Sequence, residues 1–196
     1  WDDVTVVFGL LDPNNEIQLI KINKACIGAG DAIQMASVSD SVNYTPSDLD
    51  VKLYRIRSLG FGQYDTLASV TLYDTIVEKD DGLFSTDDNI IYAFEKPLSF
   101  YNTNSIYVLE ITNTNTDNIV SSQTEIINNF NFESLNSSFE WGLYNGDLVD
   151  SLKFRTKNIE WTKSTNGEIY QLDLIINYLE DGENESLVWS QPCLLY

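Results

Sequence analysis

The sequence predicts a mostly β chain with antiparallel sheets, folded as two units. Three observations predict it. Apolar side chains recur at every second position over short stretches, the period of a strand with one wet face. Turn-forming clusters such as Asp12-Pro13-Asn14-Asn15, Asn166-Gly167 and Asp181-Gly182 separate those stretches. The chain's 196 residues also exceed a typical domain of about 100 to 150, and its 43% hydrophobic and 12% aromatic shares are those of a chain that folds.

Taken in order, Val4, Val6 and Phe8 mark one face of a first strand and Ile17 to Ile22 a second, joined as a hairpin through the turn at Asp12 to Asn15. The single helix is expected near residues 31–42. Asp31 is a capping residue, Gln34 stands three positions on, Met35, Val38 and Val42 fall near one face, and Pro46 bounds the segment. Residues 50–57, 90–96 and 106–112 read as strands, the first changing phase between Leu53 and Tyr54, where a bulge fits. Ala68, Val70 and Leu72 alternate with Ser69, Thr71 and Tyr73 as one strand wet on one face. The polar run from Thr112 to Asn118 has no periodicity and reads as a hairpin loop between Ile111 and Ile119.

Beyond residue 125 the texture changes. Phe139, Trp141 and Leu143 alternate, Ile159 and Trp161 do so briefly, and Tyr170, Leu172, Leu174, Ile176 and Tyr178 make the clearest half-buried strand of the chain. Asn166-Gly167 and Asp181-Gly182 punctuate this region as hairpin turns. Residues 1–125 are therefore expected to form one β domain and residues 126–196 a second antiparallel one. The start at Trp1 and the apolar end Leu194-Leu195-Tyr196 suggest a missing processed leader and a second unit incomplete at its C-terminus.

Composition excludes much chemistry. The chain contains no histidine, so Ser-His-Asp and Cys-His nucleophile pairs and His-containing metal sites cannot be built. Thirty acidic against eleven basic residues give a net charge of −19, which repels phosphate backbones and anionic lipid surfaces and suits solubility outside the cytoplasm. No run reaches the roughly 18 apolar residues of a membrane span. Cys26 and Cys193 have no C-x-x-C spacing, and a disulfide or two buried thiols both remain open.

No residue is assigned a catalytic or cofactor-binding role. Gly28-Ala29-Gly30-Asp31 lacks the full phosphate-loop pattern and reads as a tight turn into the helix. Asp80, Asp81, Asp87 and Asp88 bring hard oxygen ligands near one another without EF-hand spacing; solvated turns around Leu83 and Phe84 explain them as well, and calcium binding there stays open. Asp12, Asn14 and Glu16 alternate as ligands would, but Pro13 favours the hairpin turn. Trp141, Tyr144, Trp161 and Trp189 would make a sugar platform on one exposed face, but Trp141 and Trp161 sit at apolar phases of their strands, and burial in the core is the expected reading. Glu140 and Glu160 each adjoin a tryptophan, but a retaining glycosidase needs a carboxylate separation of about 5 Å, which no sequence supplies.

The stretches Val6-Val7-Phe8-Gly9-Leu10-Leu11-Asp12, Ile20-Lys21-Ile22-Asn23-Lys24-Ala25 and Gly28-Ala29-Gly30-Asp31-Ala32 resemble the N-terminal part of Bacteroidetes-type surface lipoproteins. The resemblance covers about residues 1–125, through Asp50-Val51-Lys52-Leu53-Tyr54 and Asp81-Gly82-Leu83-Phe84. It implies an N-terminal immunoglobulin-like sandwich, export to the cell envelope and a lipid anchor upstream. It implies no activity.

The expected function is accordingly that of a non-enzymatic envelope or cell-surface module that binds an unknown protein or glycan, without nucleic acid and without a cofactor. A carbohydrate-binding module or carboxylate-dependent glycosidase is the alternative, and would require an open cleft with exposed aromatics. A structural or adhesive domain that assembles through a sheet edge is the third reading. An exposed, uncharged edge strand would mark it.

Overall fold

The computed structural model describes residues 4–25, 38–78, 89–133, 143–144, 153–154 and 158–194. It is mostly β, with antiparallel sheets, and divides into two units, residues 1–126 and 127–196. Ile126 is buried in the core of the first unit, one position beyond the expected boundary.

The first unit holds eight strands: β1 Thr5–Gly9, β2 Ile17–Lys24, β3 Leu49–Gly60, β4 Gln63–Thr71, β5 Tyr73–Val77, β6 Asn89–Glu95, β7 Ile106–Asn113 and β8 Ile119–Glu125. They form two four-stranded sheets, in the orders β1-β2-β6-β5 and β4-β3-β7-β8. Lettered A, B, C, C′, D, E, F and G along the chain, these are A-B-E-D and C′-C-F-G, the immunoglobulin-type sandwich with an added C′ strand. Both sheets turn alternate residues into one core: Ile20, Ile22, Tyr92 and Phe94 from the first, and Val51, Leu53, Tyr107, Leu109 and Ile111 from the second.

Strand β7 carries the hallmark tyrosine of this fold. Tyr107, fully buried, donates its hydroxyl proton to the carbonyl of Phe100 at 3.0 Å and accepts the Asn102 N–H at 2.6 Å, pinning the connection from β6 back onto β7. Two residues on, where antibody domains place their second inter-sheet cysteine, stands Leu109. Neither β2 nor β7 contains cysteine, so hydrocarbon packing closes this sandwich.

Several expectations need correction. Val6 and Phe8 face solvent, because the register sets Val7 opposite Ile22 and turns Val7 toward the core. The alternation from Ala68 to Tyr73 is not one strand. β4 ends at Thr71, the buried Leu72 donates its N–H to the Val51 carbonyl at 2.9 Å, and the chain passes into the other sheet as β5. The alternation runs on through the switch because Tyr73, like Ser69 and Thr71, is exposed. The register of β3 against β4 shifts between Arg55 and Ile56 and again between Ser58 and Gly60, rather than at Leu53 and Tyr54. Of the expected helix, residues 31–37 lie outside the described part; the described remainder is one turn, α1 Ser39–Val42, and Pro46 opens a 3-10 turn instead of merely bounding a helix.

The turns repay their sequence chemistry. Both carboxylate oxygens of Asp12 accept hydrogen bonds within its turn, from the Asn14 N–H at 2.9 Å and from the Asn15 amide at 2.7 Å. Gln18, almost wholly buried, accepts the Asp12 N–H and donates to the carbonyls of Asp12 and Asn15, so the connection from β1 to β2 is internally satisfied. β3 and β4 join through Phe61 and Gly62, at φ 52° and 74°, and the Phe61 ring is fully exposed. Thr114 to Asn118 close β7 onto β8 as expected, with the Asn113 side chain accepting from the Asn115 and Thr116 N–H groups.

The second unit contains β9 Leu143–Tyr144 paired with β10 Lys153–Phe154, and a long hairpin of β11 Ile169–Glu180 with β12 Glu183–Leu194. Asn166-Gly167 does not join two paired strands. It ends a tight turn in which the Gly167 N–H donates to the Ser164 carbonyl at 3.2 Å, ahead of β11. No helix among the described residues is long and apolar enough to cross a membrane.

Candidate strand-docking site

The hairpin of β11 and β12 is anchored at its base by aromatic packing. Tyr170 is buried against Phe130, edge to face at 5.4 Å, and against Trp161 at 5.9 Å, while Phe130 meets Phe132 at 5.8 Å. The Tyr170 hydroxyl accepts the Ser164 N–H at 2.5 Å, and the Ser164 hydroxyl donates to the Asn128 carbonyl. Gly167 permits this approach: a Cβ there would lie 2.6 Å from the Tyr170 hydroxyl oxygen.

Away from the base the hairpin has less cover among the described residues. Leu172, Leu174 and Ile176 are half-buried, and Tyr178 is exposed. The cross-strand partners on this face are Trp189 opposite Leu174 and Leu187 opposite Ile176, each about half exposed. A two-stranded ribbon of this kind is marginal alone; a third strand or a packed face is what normally stabilises it.

Backbone geometry tells which groups are free to supply that contact. Asp181 and Gly182 have φ of 52° and 89°, the two positive values of a type I′ loop, so Glu180 and Glu183 form the hydrogen-bonded pair that closes it. Alternating outward, Tyr178, Ile176, Leu174, Leu172 and Tyr170 bond to β12. Leu179, Asn177, Ile175, Asp173, Gln171 and Ile169 direct their N–H and C=O groups away from it. Among the described residues these outward groups meet no further strand. On β12 the equivalent outward row includes Pro192, opposite Gln171, which has no N–H to offer. The β11 edge is thus the continuous one.

That edge is nearly uncharged over its middle. Asp173 is the single ionisable carboxylate between Ile169 and Leu179; the Ser190 hydroxyl across the strand pair, and then the Gln171 amide at 2.9 Å, hold it below the ordinary carboxylate value. At the tip, Glu180, Glu183 and Glu185 share the face of Tyr178.

The other candidates fare differently. Asp80, Asp81, Asp87, Asp88, Gly28 to Asp31, Cys26, Glu140 and Trp141 lie outside the described residues, as do the side chains of Tyr144 and Cys193. Among the described residues no group of three or more Cys, Asp or Glu side chains is placed to hold a metal ion. Asp12 is spent on its turn. Trp161 is half-buried beside Tyr170 and Trp189 is half exposed on the hairpin, so neither is the fully buried core residue expected. Glu160 is exposed, with its carbonyl accepting the Glu133 N–H at 2.8 Å. An open depression on the first unit includes Glu16, Glu95, Lys96 and Leu98, but the Lys96 ammonium is committed to the Pro13 carbonyl.

No family model, curated protein or solved structure matches the chain.

The sequence held the signal for the hairpin register. Counting outward from Asp181-Gly182 pairs Leu174 with Trp189 and puts Pro192 at an outward position.

Proposed function

We propose that this chain is the ectodomain of an exported, surface-held protein, non-enzymatic, that binds a partner by accepting an extended strand along the free edge of β11. The observation that carries the reading is the unbroken row of outward backbone groups from Ile169 to Leu179, set on a ribbon too thin to be stable alone. Strand addition supplies the missing hydrogen bonds and sets new side chains beside Leu172, Leu174 and Ile176. The net charge of −19 and the lipoprotein resemblance support an exported location. The carbohydrate reading asks for several rings on one open face, and Trp161 is instead taken up by the cluster around Tyr170.

The test uses a strand-length peptide of alternating valine and threonine and the same peptide N-methylated at alternate amides. The first should bind and the second should not, because N-methylation removes the donors. Ile175→Pro, which deletes an outward N–H of β11, should abolish binding; Val188→Pro on the opposite edge should leave it. Equal binding of both peptides, or an unaffected Ile175→Pro protein with native circular dichroism, overturns the reading.

A further inference from the structure

The ribbon that offers the edge is also one-signed. From Ser164 to Leu194 the chain has six acidic residues, Glu168, Asp173, Glu180, Asp181, Glu183 and Glu185, and no lysine or arginine. Glu168 is matched by Lys163 at 3.1 Å. The other five have no basic residue within the hairpin, and they are not spread evenly. Asp173 is the one acidic residue on the other face, beside Gln171 and Asn177 and the exposed Ile169, Ile175 and Leu179. Glu180, Glu183 and Glu185 gather at the tip on the same face as that row, and Asp181 lies in the loop between the strands.

Resting on the strand-docking reading, we infer that the partner is a cationic strand. It carries apolar side chains at alternate positions over Leu172, Leu174 and Ile176, a lysine or arginine facing Asp173 on the opposite side, and a second cation at the end that lies against the hairpin tip. Three features specify it. The β11 edge demands extended backbone. The half-covered row of Leu172, Leu174 and Ile176 demands apolar residues at every second position, since directly opposed side chains on neighbouring strands pair face by face. The uncompensated carboxylates demand positive charge, and they penalise a second copy of this chain, which would bring one −19 molecule against another.

The charge pattern also orients the partner. Only a strand whose cationic end reaches the loop at Asp181 and Gly182 satisfies the tip carboxylates while keeping its apolar side chains over the row. A peptide with its cations at the other end meets the Tyr170 base, which is apolar and buried.

Strand-length peptides of alternating valine with lysine, with threonine and with glutamate separate the two layers of the proposal, with alternating proline and lysine as a control of equal charge that cannot pair. Residue-resolved amide exchange on the intact chain is the readout. The expected result is protection of the amides of Ile175 and Asn177, with the lysine peptide binding about tenfold more tightly than the threonine peptide and the glutamate peptide weakest. That preference should shrink at high salt, and the proline peptide should protect nothing. Equal affinity for the lysine and threonine peptides would leave strand docking standing and overturn the cationic assignment. Failure of every peptide to protect the β11 edge would remove both. Edge protection that grows with protein concentration, with a dimer in sedimentation, would overturn the inference in favour of self-association.

Discussion

Deleting one oxygen from Tyr107 should unfasten the corner of the sandwich. In Tyr107→Phe the ring keeps its buried packing against Phe100 and Tyr101, at centroid distances of 5.7 and 5.3 Å, but the Phe100 carbonyl loses its donor and the Asn102 N–H its acceptor. A buried polar group left unsatisfied costs about 1 to 3 kcal/mol, and with the Asn102 bond only partly buried the pair should cost about 2 to 3 kcal/mol. The first unit has 126 residues, and an unfolding entropy of about 2.1 cal/mol/K per residue converts that loss into a fall in Tm of about 8 to 11 °C. Calorimetry of the whole chain measures it. The internal control is Tyr101→Phe: the Tyr101 hydroxyl is buried with no partner among the described residues, and burial pushes its phenol above the ordinary range, so its removal should be neutral or stabilising. A shift below about 2 °C for Tyr107→Phe, or equal falls for both variants, would refute the reasoning.

Three further outcomes are expected. Phe61 holds a left-handed backbone with its ring in solvent, so Phe61→Asn should raise stability by about 1 kcal/mol, read as a higher Tm; no gain would mean that the ring has a stabilising contact. Gly167→Ala should displace the Tyr170 hydroxyl from the Ser164 N–H and destabilise the hairpin base, seen as faster amide exchange at Ser164, with the first unit unchanged. Asp173 has a folded pKa below its ordinary value of 3.8, so it adds hairpin stability above that pH, and the contribution is lost as pH falls through the lower folded value. Asp173→Asn should flatten that acid slope, followed by circular dichroism of the hairpin's melting.

How much of this was legible in the sequence depends on the range of the interaction. β2, β3, β7 and β11 were marked by alternation, because one face of each packs inward and the other is wetter. The loop after Asn113 and the Asp181-Gly182 turn were marked by residue chemistry, which acts over two or three positions. The switch of sheets at Leu72 left no trace, since alternation reports which side is buried and not which neighbour lies alongside. The facing of the first strand differs from its sequence pattern for a related reason: Val6 and Phe8 are as apolar as Val7, and only pairing with Ile22 decides which of them turns inward. Tyr107 was visible as a strand residue, while the role of its hydroxyl depends on backbone groups five and seven positions upstream, brought back by the corner. The candidate site was half legible. The apolar row of β11 is visible as alternation; its thin cover and unpaired edge among the described residues are properties of what does not pair with it.

The most direct test of the central claim is amide hydrogen exchange, residue by residue, on the free protein. If the β11 edge is open, the amides of Ile169, Gln171, Asp173, Ile175, Asn177 and Leu179 exchange fast, while those of Tyr170, Leu172, Leu174, Ile176 and Tyr178 are slowed by β12, a period of two along the strand. Uniform protection from Ile169 to Leu179 would mean that the edge already has a partner, and would contradict the account.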